Sequence, residues 1–205
     1  MMKKILSLLL TIVMLLSLAA CSIDDSDSKK SKKDTDSTKG ESSLPEETEP
    51  SVPLGNEVGY RCYGADLPVV TPEGVTDATI DPTKTGTVTV INFWGTWCNP
   101  CVSELPHFDQ IATDYRGEVT VIAIHSYDQR EKAVGFISQH YPDSEIIFSQ
   151  DWAEETQYGD YYYTLGNPGY YPYTLILDED GIITDTFIGI MSYEQIQEAI
   201  EKAQG

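Results

Sequence analysis

Two cysteines separated by two residues, Cys98 and Cys101, lie between an apolar run and a stretch with helical periodicity. Residues 88–94 are β-branched and aromatic, which is typical of a buried strand, and residues 102–115 carry apolar side chains at helical spacing. The pair therefore falls where a strand leads into a helix. Unpaired N–H groups and the positive end of the helix dipole favour an anion there, so we expect a reactive dithiol in which the pKa of the outer thiol is lowered toward neutrality.

The start of the chain predicts export. Residues 1–20 form a secretory signal in which Lys3 and Lys4 supply the positive region and residues 5–18 are apolar apart from Ser and Thr. Small residues precede Cys21, which resembles the lipobox of bacterial lipoproteins, in which the cysteine is lipidated and becomes the first residue of the mature chain. An ordinary cleaved signal and an uncleaved helical anchor are the alternatives. The anchor is disfavoured because the apolar stretch is shorter than the roughly 20 residues of a bilayer span.

Composition divides the rest of the chain into a tether and one domain. Residues 21–57 are rich in Ser, Asp, Lys, Thr, Glu and Pro and contain almost no large apolar residue, so we expect a disordered tether. Residues 58–205 are long enough for one domain with a single core.

Strand and helix patterns alternate along this domain, which predicts an α/β fold with a central sheet and helices on both faces. Ser192 is the expected cap of the last helix, and residues 179–181 form the turn of a closing antiparallel hairpin. The predicted strands are 88–94, 119–125, 145–149, 173–178 and 182–188, and the predicted helices after the first are 130–140, 151–158 and 193–203.

The charge is strongly acidic. The whole chain has a formal net charge of −20, and residues 58–205 carry 6 Lys and Arg against 23 Asp and Glu, a net of −17. Nucleic acid and anionic lipid headgroups are poor partners for such a surface. We interpret the acidity as a solvated shell that keeps an exported protein soluble.

Two motifs together resemble a known family. Residues 92–101 (NFWGTWCNPC), followed by Glu104, Leu105 and Pro106, are similar to the active-site segment of the TlpA/ResA-type thiol-disulfide oxidoreductases of the thioredoxin superfamily. Residues 171–178 (YPYTLILD), followed by Asp180 and Gly181, are similar to the family segment that carries a cis-proline and opens a β-hairpin. Two independent motifs in the family's order are far more specific than a lone Cys-x-x-Cys. The resemblance implies a thioredoxin-like fold with a mixed sheet.

The resemblance also assigns roles within the first motif. Cys98, nearer the helix start and more exposed, is the expected attacking thiolate, and Cys101 the thiol that resolves the mixed disulfide. Pro100 suits the first helical turn, where its missing N–H costs nothing. Asn99 is the variable position of the loop and adds no charge beside Cys98. Trp97 flanks Cys98 and is expected to shield it.

The second motif predicts a substrate-binding backbone. We expect a cis peptide bond between Tyr171 and Pro172, which brings the backbone of Tyr171 beside the dithiol, where it can pair with an extended substrate segment. A trans proline at a strand start is the alternative. Several tyrosines crowd this stretch, and packing in the core or loops is the favoured explanation for most of them, with an aromatic platform for a polypeptide as the alternative. They are Tyr161, Tyr162, Tyr163, Tyr170, Tyr171 and Tyr173.

Three further positions are open to more than one interpretation. Asn92 stands where cytosolic thioredoxins place a buried Asp that handles protons, and Glu104 is a candidate for proton transfer in its place, with a solvent-facing helix residue as the alternative. Cys62 has no partner visible in the sequence. We expect an inert buried thiol, and a regulatory or intermolecular disulfide is the alternative.

Metal binding is not predicted. A zinc site would need a second Cys-x-x-Cys or a pair of histidines to complete four ligands, and His107, His125 and His140 show no ligand spacing. The expected redox group is the Cys98–Cys101 disulfide itself, with no other cofactor.

The function that these features predict is disulfide exchange by a lipid-anchored protein at the outer face of the cell membrane. The resemblance implies a reductase of protein disulfides that receives electrons from a CcdA- or DsbD-like membrane thiol protein. An oxidase with the same residues is the alternative, because direction depends on redox potential and partner. A peroxiredoxin-like peroxidase would need a peroxidatic Cys motif that is not found, and a copper-binding assembly factor would typically have Cys-x-x-x-Cys with a distal His.

Overall fold

The computed structural model of the 205-residue chain describes residues 52–126, 130–151, 160–166 and 169–205. The predicted signal, Cys21 and the tether up to residue 51 lie outside the described residues. None of the described helices is long and apolar enough to cross a bilayer.

Nine strands and four helices make up the described chain. The strands are β1 (Leu54–Gly55), β2 (Arg61–Cys62), β3 (Leu67–Thr71), β4 (Gly74–Ile80), β5 (Val88–Trp94), β6 (Val119–Ser126), β7 (Ile147–Asp151), β8 (Tyr173–Leu177) and β9 (Ile183–Ile188). The helices are α1 (Asn99–Asp114), α2 (Arg130–His140), α3 (Asp160–Thr164) and α4 (Tyr193–Gln204).

Seven of the strands form one mixed sheet in the order β4-β3-β7-β6-β5-β8-β9. β5, β6 and β7 are parallel neighbours, because the chain crosses back over the sheet through α1 and then α2. β8 runs antiparallel to β5 and pairs with β9 as the predicted hairpin. β5 is thus an interior strand of the sheet, and a short turn after its C-terminal end leads to Cys98 and the start of α1.

The two faces of the sheet bury different clusters. Val90 and Trp94 of β5 pack in one cluster with α1, α4 and Ile137 of α2. The alternate residues Ile91 and Phe93 pack on the other face with β2 and residues of α3 and the turn after it. Helices on both faces of a central mixed sheet are therefore confirmed, with three of the four described helices on the same face.

Some predicted boundaries differ from the structure. The strand expected at 145–149 is β7, Ile147–Asp151, because the Ser144 hydroxyl bonds the Asp109 carboxylate and accepts the Ile146 N–H, which holds the preceding residues in a turn. The helix expected at 151–158 does not begin at Asp151, which ends β7, and residues 152–159 lie outside the described residues.

The packed structure also begins earlier than the predicted boundary at residue 58. β1 pairs in parallel with β2, and the Arg61 N–H donates to the carbonyl of Pro53 at 2.9 Å. The antiparallel pair β3 and β4, between residues 67 and 80, has no counterpart in the sequence prediction, because its residues alternate weakly between apolar and polar.

Candidate active site

The two cysteines of the motif form a disulfide at the N-terminus of α1. Cys98 is the N-cap residue, with extended backbone angles, and its Sγ accepts a hydrogen bond from the Cys101 N–H at 3.2 Å. The Cα atoms of the pair are 5.3 Å apart. Pro100 lies in the first turn, as predicted, where an absent N–H leaves no acceptor unsatisfied.

The two sulfur-bearing residues differ in exposure. Cys98 is 5% exposed and Cys101 is fully buried, while Asn99 and Pro100 face solvent. The first turn of α1 contains no acidic residue. A sulfur anion at Cys98 would therefore meet a backbone N–H and the positive end of a sixteen-residue helix, with no carboxylate in that turn to oppose it.

Trp97 and the cis-proline segment border the dithiol. The peptide bond between Tyr171 and Pro172 is cis, as predicted. The Trp97 indole is 47% exposed, and its ring meets that of Tyr171 edge to face with centroids 5.2 Å apart. The carbonyl of Pro172 accepts the Gly189 N–H at 2.9 Å, which ties this segment to the end of β9. Two segments separated by about seventy residues thus meet beside Cys98.

Glu104 is completely buried one helical turn beyond Cys101, so the solvent-facing alternative for this residue is wrong. Its Oε1 accepts from Asn92 Nδ2 at 2.8 Å, and its Oε2 accepts from the Met191 N–H at 2.9 Å. Asn92 Nδ2 also donates to Thr174 Oγ1 at 3.0 Å. Burial raises the pKa of Glu104 to about 7, although both of its hydrogen bonds favour the charged form. The carboxyl group can therefore exchange a proton near neutral pH.

Met191 is a site residue that sequence reasoning missed. Its N–H bonds Glu104 and its carbonyl oxygen is 2.9 Å from Nδ1 of His107, one turn further along α1. The Met191 side chain is buried in the same cluster as both active-site cysteines. No local pattern indicates this contact, because Met191 is 87 residues from Glu104 in the chain.

Three of the six tyrosines between residues 161 and 173 are buried in the core, and Tyr171 is partly buried. Tyr161, Tyr162 and Tyr173 are at most 5% exposed, and all three have ring contacts with Phe93 of β5. Tyr163 and Tyr170 are more than half exposed. The packing interpretation is confirmed for the buried members of the group, and the aromatic platform for a polypeptide stays a prediction for the exposed ones.

Cys62 is buried and free, at 1% exposure. Its Sγ lies 3.9 Å from the Tyr161 hydroxyl. Burial raises the pKa of its thiol to about 11. The inert interpretation fits this environment, and the active-site disulfide forms without Cys62.

No group of three or more His, Cys, Asp and Glu side chains in the described parts of the chain is placed to hold a metal ion. Trp94, the last residue of β5, is fully buried and packs edge to face with His125, which is itself buried. His140 packs its ring against Phe136 in α2.

The fold and the site together define a thioredoxin-superfamily domain of the TlpA/ResA type: a mixed sheet, a helix capped by the first cysteine of the pair, and a cis-proline beside it. The model of the Redoxin family matches residues 64–202. The chain belongs to the Redoxin family.

Named relatives agree with this assignment. The chain is 30% identical over 118 residues to the thioredoxin-like protein YneN of Bacillus subtilis strain 168, which covers 57% of this chain and 65% of that protein. It is 31% identical over 114 residues to a thiol-disulfide oxidoreductase ResA of Bacillus cereus, covering 55% of this chain and 61% of that protein. The match thus spans less than two thirds of each of these relatives.

Solved structures show the same fold. StoA from Bacillus subtilis superimposes with a TM-score of 0.51 at 26% identity, over 66% of this chain and 96% of that one. An exposed lipoprotein thioredoxin of Streptococcus pneumoniae strain TIGR4 superimposes with a TM-score of 0.55 at 19% identity, over 67% of this chain and 99% of that one.

Proposed function

We propose that this protein is a thiol-disulfide oxidoreductase that reduces protein disulfides through Cys98 and Cys101. The observation that carries the proposal is the disulfide at the N-terminus of α1, in which Cys98 is partly accessible and Cys101 is fully buried. Cys98 is the more exposed of the two residues and lies at the very start of α1, which supports Cys98 as the residue that meets the substrate first.

The exchange proceeds in two steps. The Cys98 thiolate attacks one sulfur of the substrate disulfide, forms a mixed disulfide and releases the first substrate thiolate. The Cys101 thiolate then attacks Cys98 Sγ, releases the second substrate thiolate and closes the Cys98–Cys101 bond. Two electrons pass from the protein to the substrate, and an external dithiol returns them.

Two other parts of the site have roles in this scheme. Glu104 takes up the proton that Cys101 releases, which is supported by its position one turn beyond Cys101 and by a pKa near neutrality. The backbone of Tyr171, before Pro172, pairs with an extended segment of the substrate, and Trp97 covers one side of Cys98.

The exchange takes place at the outer face of the cell membrane. The signal-like residues 1–20 and the small residues before Cys21 support export and lipid attachment, and residues 22–51 are polar enough to act as a tether. A CcdA- or DsbD-like membrane thiol protein is the proposed electron donor. If Cys21 is lipidated, the wild-type protein partitions with membranes and carries an acyl mass on its N-terminal peptide, and Cys21→Ala abolishes both. A wild-type protein without lipid would overturn this part of the proposal.

Trapping identifies the substrates. Cys101→Ala leaves Cys98 unable to be released from a mixed disulfide, so this variant should accumulate disulfide-linked adducts in cells. The matched control is the Cys98→Ala, Cys101→Ala double variant, which retains Cys62 and should accumulate none. Equal adducts in both variants, or none in either, would overturn the catalytic assignment.

The redox potential decides the direction. A potential of the Cys98–Cys101 pair below about −250 mV is expected of a reductase, whereas one near −120 mV would make the protein an oxidase. Equilibration of the purified protein with dithiothreitol buffers, followed by alkylation and mass measurement, gives this value.

A further inference from the structure

The ring of Tyr171 is held between two other aromatic rings. On one side it stacks face to face on Tyr162, with centroids 4.7 Å apart and planes 5° from parallel. On the other it meets the half-exposed indole of Trp97. Tyr162 is 3% exposed and lies in the cluster on the opposite face of the sheet from Cys98 and Cys101, whereas Tyr171 packs against both clusters, so Tyr171 links Tyr162 to the dithiol.

Tyr162 itself is firmly anchored. The buried carboxylate of Asp151, at the end of β7, accepts the N–H of Tyr161 at 3.1 Å and the N–H of Tyr162 at 2.6 Å. The Tyr162 hydroxyl donates to the carbonyl of Tyr170 at 3.2 Å, and its ring packs edge to face against Phe93. These contacts hold Tyr162 on both the sheet and the segment that leads to Tyr171.

We infer that Tyr162 is a positioning residue for polypeptide binding. By stacking on Tyr171 it holds the Tyr171 ring against Trp97, and the rings of Tyr171 and Trp97 form one wall of the proposed substrate site. The inference rests on the proposed disulfide exchange. Disulfide exchange and peptide binding then depend on different parts of the site. The exchange depends on the cysteines of α1, whereas the wall depends on α3 and the cis-proline segment. A long substrate that touches the wall needs Tyr162, and a small disulfide that reaches only Cys98 does not.

The size of the effect follows from the strength of an aromatic pair. A stacked pair contributes about 0.5–1.5 kcal/mol beyond burial, which corresponds to roughly two- to tenfold in an equilibrium constant. Tyr162→Leu should therefore raise the half-saturating concentration of a polypeptide disulfide by up to about tenfold, with little change in the limiting rate. Tyr162→Phe keeps the stacked ring and should restore the wild-type value within about twofold.

The test uses the reduced full-length protein in single-turnover exchange, with formation of the Cys98–Cys101 disulfide followed by rapid quenching and alkylation. One substrate is a fluorogenic peptide whose two segments are joined by a disulfide, and the other is hydroxyethyl disulfide. The matched control is Tyr161→Leu, which removes a ring of the same size from the same turn of α3. The ring of Tyr161 packs on Phe93 and its hydroxyl donates to Tyr63, so this variant tests destabilisation without removing the stack on Tyr171.

The inference holds if the half-saturating peptide concentration rises in Tyr162→Leu but not in Tyr161→Leu or Tyr162→Phe, while hydroxyethyl disulfide reacts equally in all four proteins. It is overturned if the peptide value is unchanged in Tyr162→Leu, or if both leucine variants shift it equally. Should Tyr162→Leu fail to fold, Tyr162→Met replaces it, because a methionine fills the buried position without an aromatic ring. An unchanged peptide value in that variant would overturn the inference. A wild-type protein that reduces neither substrate contradicts the proposed function instead.

Discussion

The indole of Trp97 lies directly over the backbone of Gly95. A Cβ atom at Gly95 would come within 2.5 Å of the indole Nε1 and 2.8 Å of Cε2, both closer than side-chain carbons approach other atoms. Because Trp97 directly precedes Cys98 and its side chain is half exposed, the absence of a side chain at Gly95 determines where the indole lies.

Gly95→Ala should therefore displace the Trp97 ring. The indole is half exposed and can swing outward, so we expect a modest destabilisation of about 1 kcal/mol together with weaker peptide binding. The indole N–H resonance of Trp97, assigned with Trp97→Phe, should shift. The matched control is Gly135→Ala in α2, where a Cβ would meet nothing within 4 Å and which should be neutral or slightly stabilising. An unchanged Trp97 resonance in Gly95→Ala would contradict this prediction.

Glu104 should make stability fall as the pH rises. Its pKa is raised by burial from 4.5 to about 7, so between these values the folded protein keeps a proton that the unfolded chain has lost. The contribution of the neutral carboxyl is fully present below about pH 4.5 and is lost as the pH rises through 7, by up to about 3 kcal/mol. Urea unfolding of the oxidised protein between pH 4.5 and 8 measures the effect.

The reference for this measurement is Glu104→Gln, whose side chain at this position has no titratable group. The stability of this variant still depends on pH through all the other titratable groups. The difference in free energy of unfolding between the two proteins should move in favour of Gln as the pH rises. The rate at which Cys101 resolves the mixed disulfide of Cys98 should also depend on pH, with an inflection near pH 7 in the wild type. This inflection should be absent in Glu104→Gln. If the free energies of unfolding of the wild type and Glu104→Gln change in parallel with pH, burial does not raise the pKa of Glu104 and the prediction is wrong.

Cys62 should resist alkylation in the folded protein. It is 1% exposed, and with a pKa of about 11 only about one thiol in a thousand is ionised at pH 8. Iodoacetamide at pH 8, followed by peptide mass spectrometry, should label Cys98 of the reduced protein long before Cys62, and urea should expose Cys62 to labelling. Rapid labelling of Cys62 in the native oxidised protein would contradict its placement in the core.

Ser192→Ala should destabilise the domain by about 1 kcal/mol. The Ser192 hydroxyl accepts the Gln195 N–H, and the Gln195 side chain accepts the Ser192 N–H, so the two residues form a capping box at the start of α4. Ser138→Ala, at an exposed position within α2, is the matched control and should not lower the free energy of unfolding. Equal urea midpoints for Ser192→Ala and the wild type would contradict a stabilising cap.

Sequence patterns predicted much of the fold because the strands and helices that surround the site carry strong local signals. β5 is mostly apolar and buried throughout, α1 follows it with helical spacing, and Ser192 marks the start of α4. The pair β3 and β4 was missed because β4 is an edge strand whose side chains are largely exposed, so no periodic burial pattern identifies it.

The chain itself determined the position and chemistry of the dithiol, because the strand end, the cysteine spacing and the helix start are encoded in consecutive residues. Tertiary structure alone decided the contacts of Glu104 and Tyr162. The bonds from Glu104 to Asn92 and Met191, and the stack of Tyr162 on Tyr171, depend on which segments the sheet brings together. A helical Glu one turn past Cys101 has the same local pattern whether it faces water or the core. Only the strands and the loop packed over α1 remove water from it, and that loss of hydration shifts its pKa.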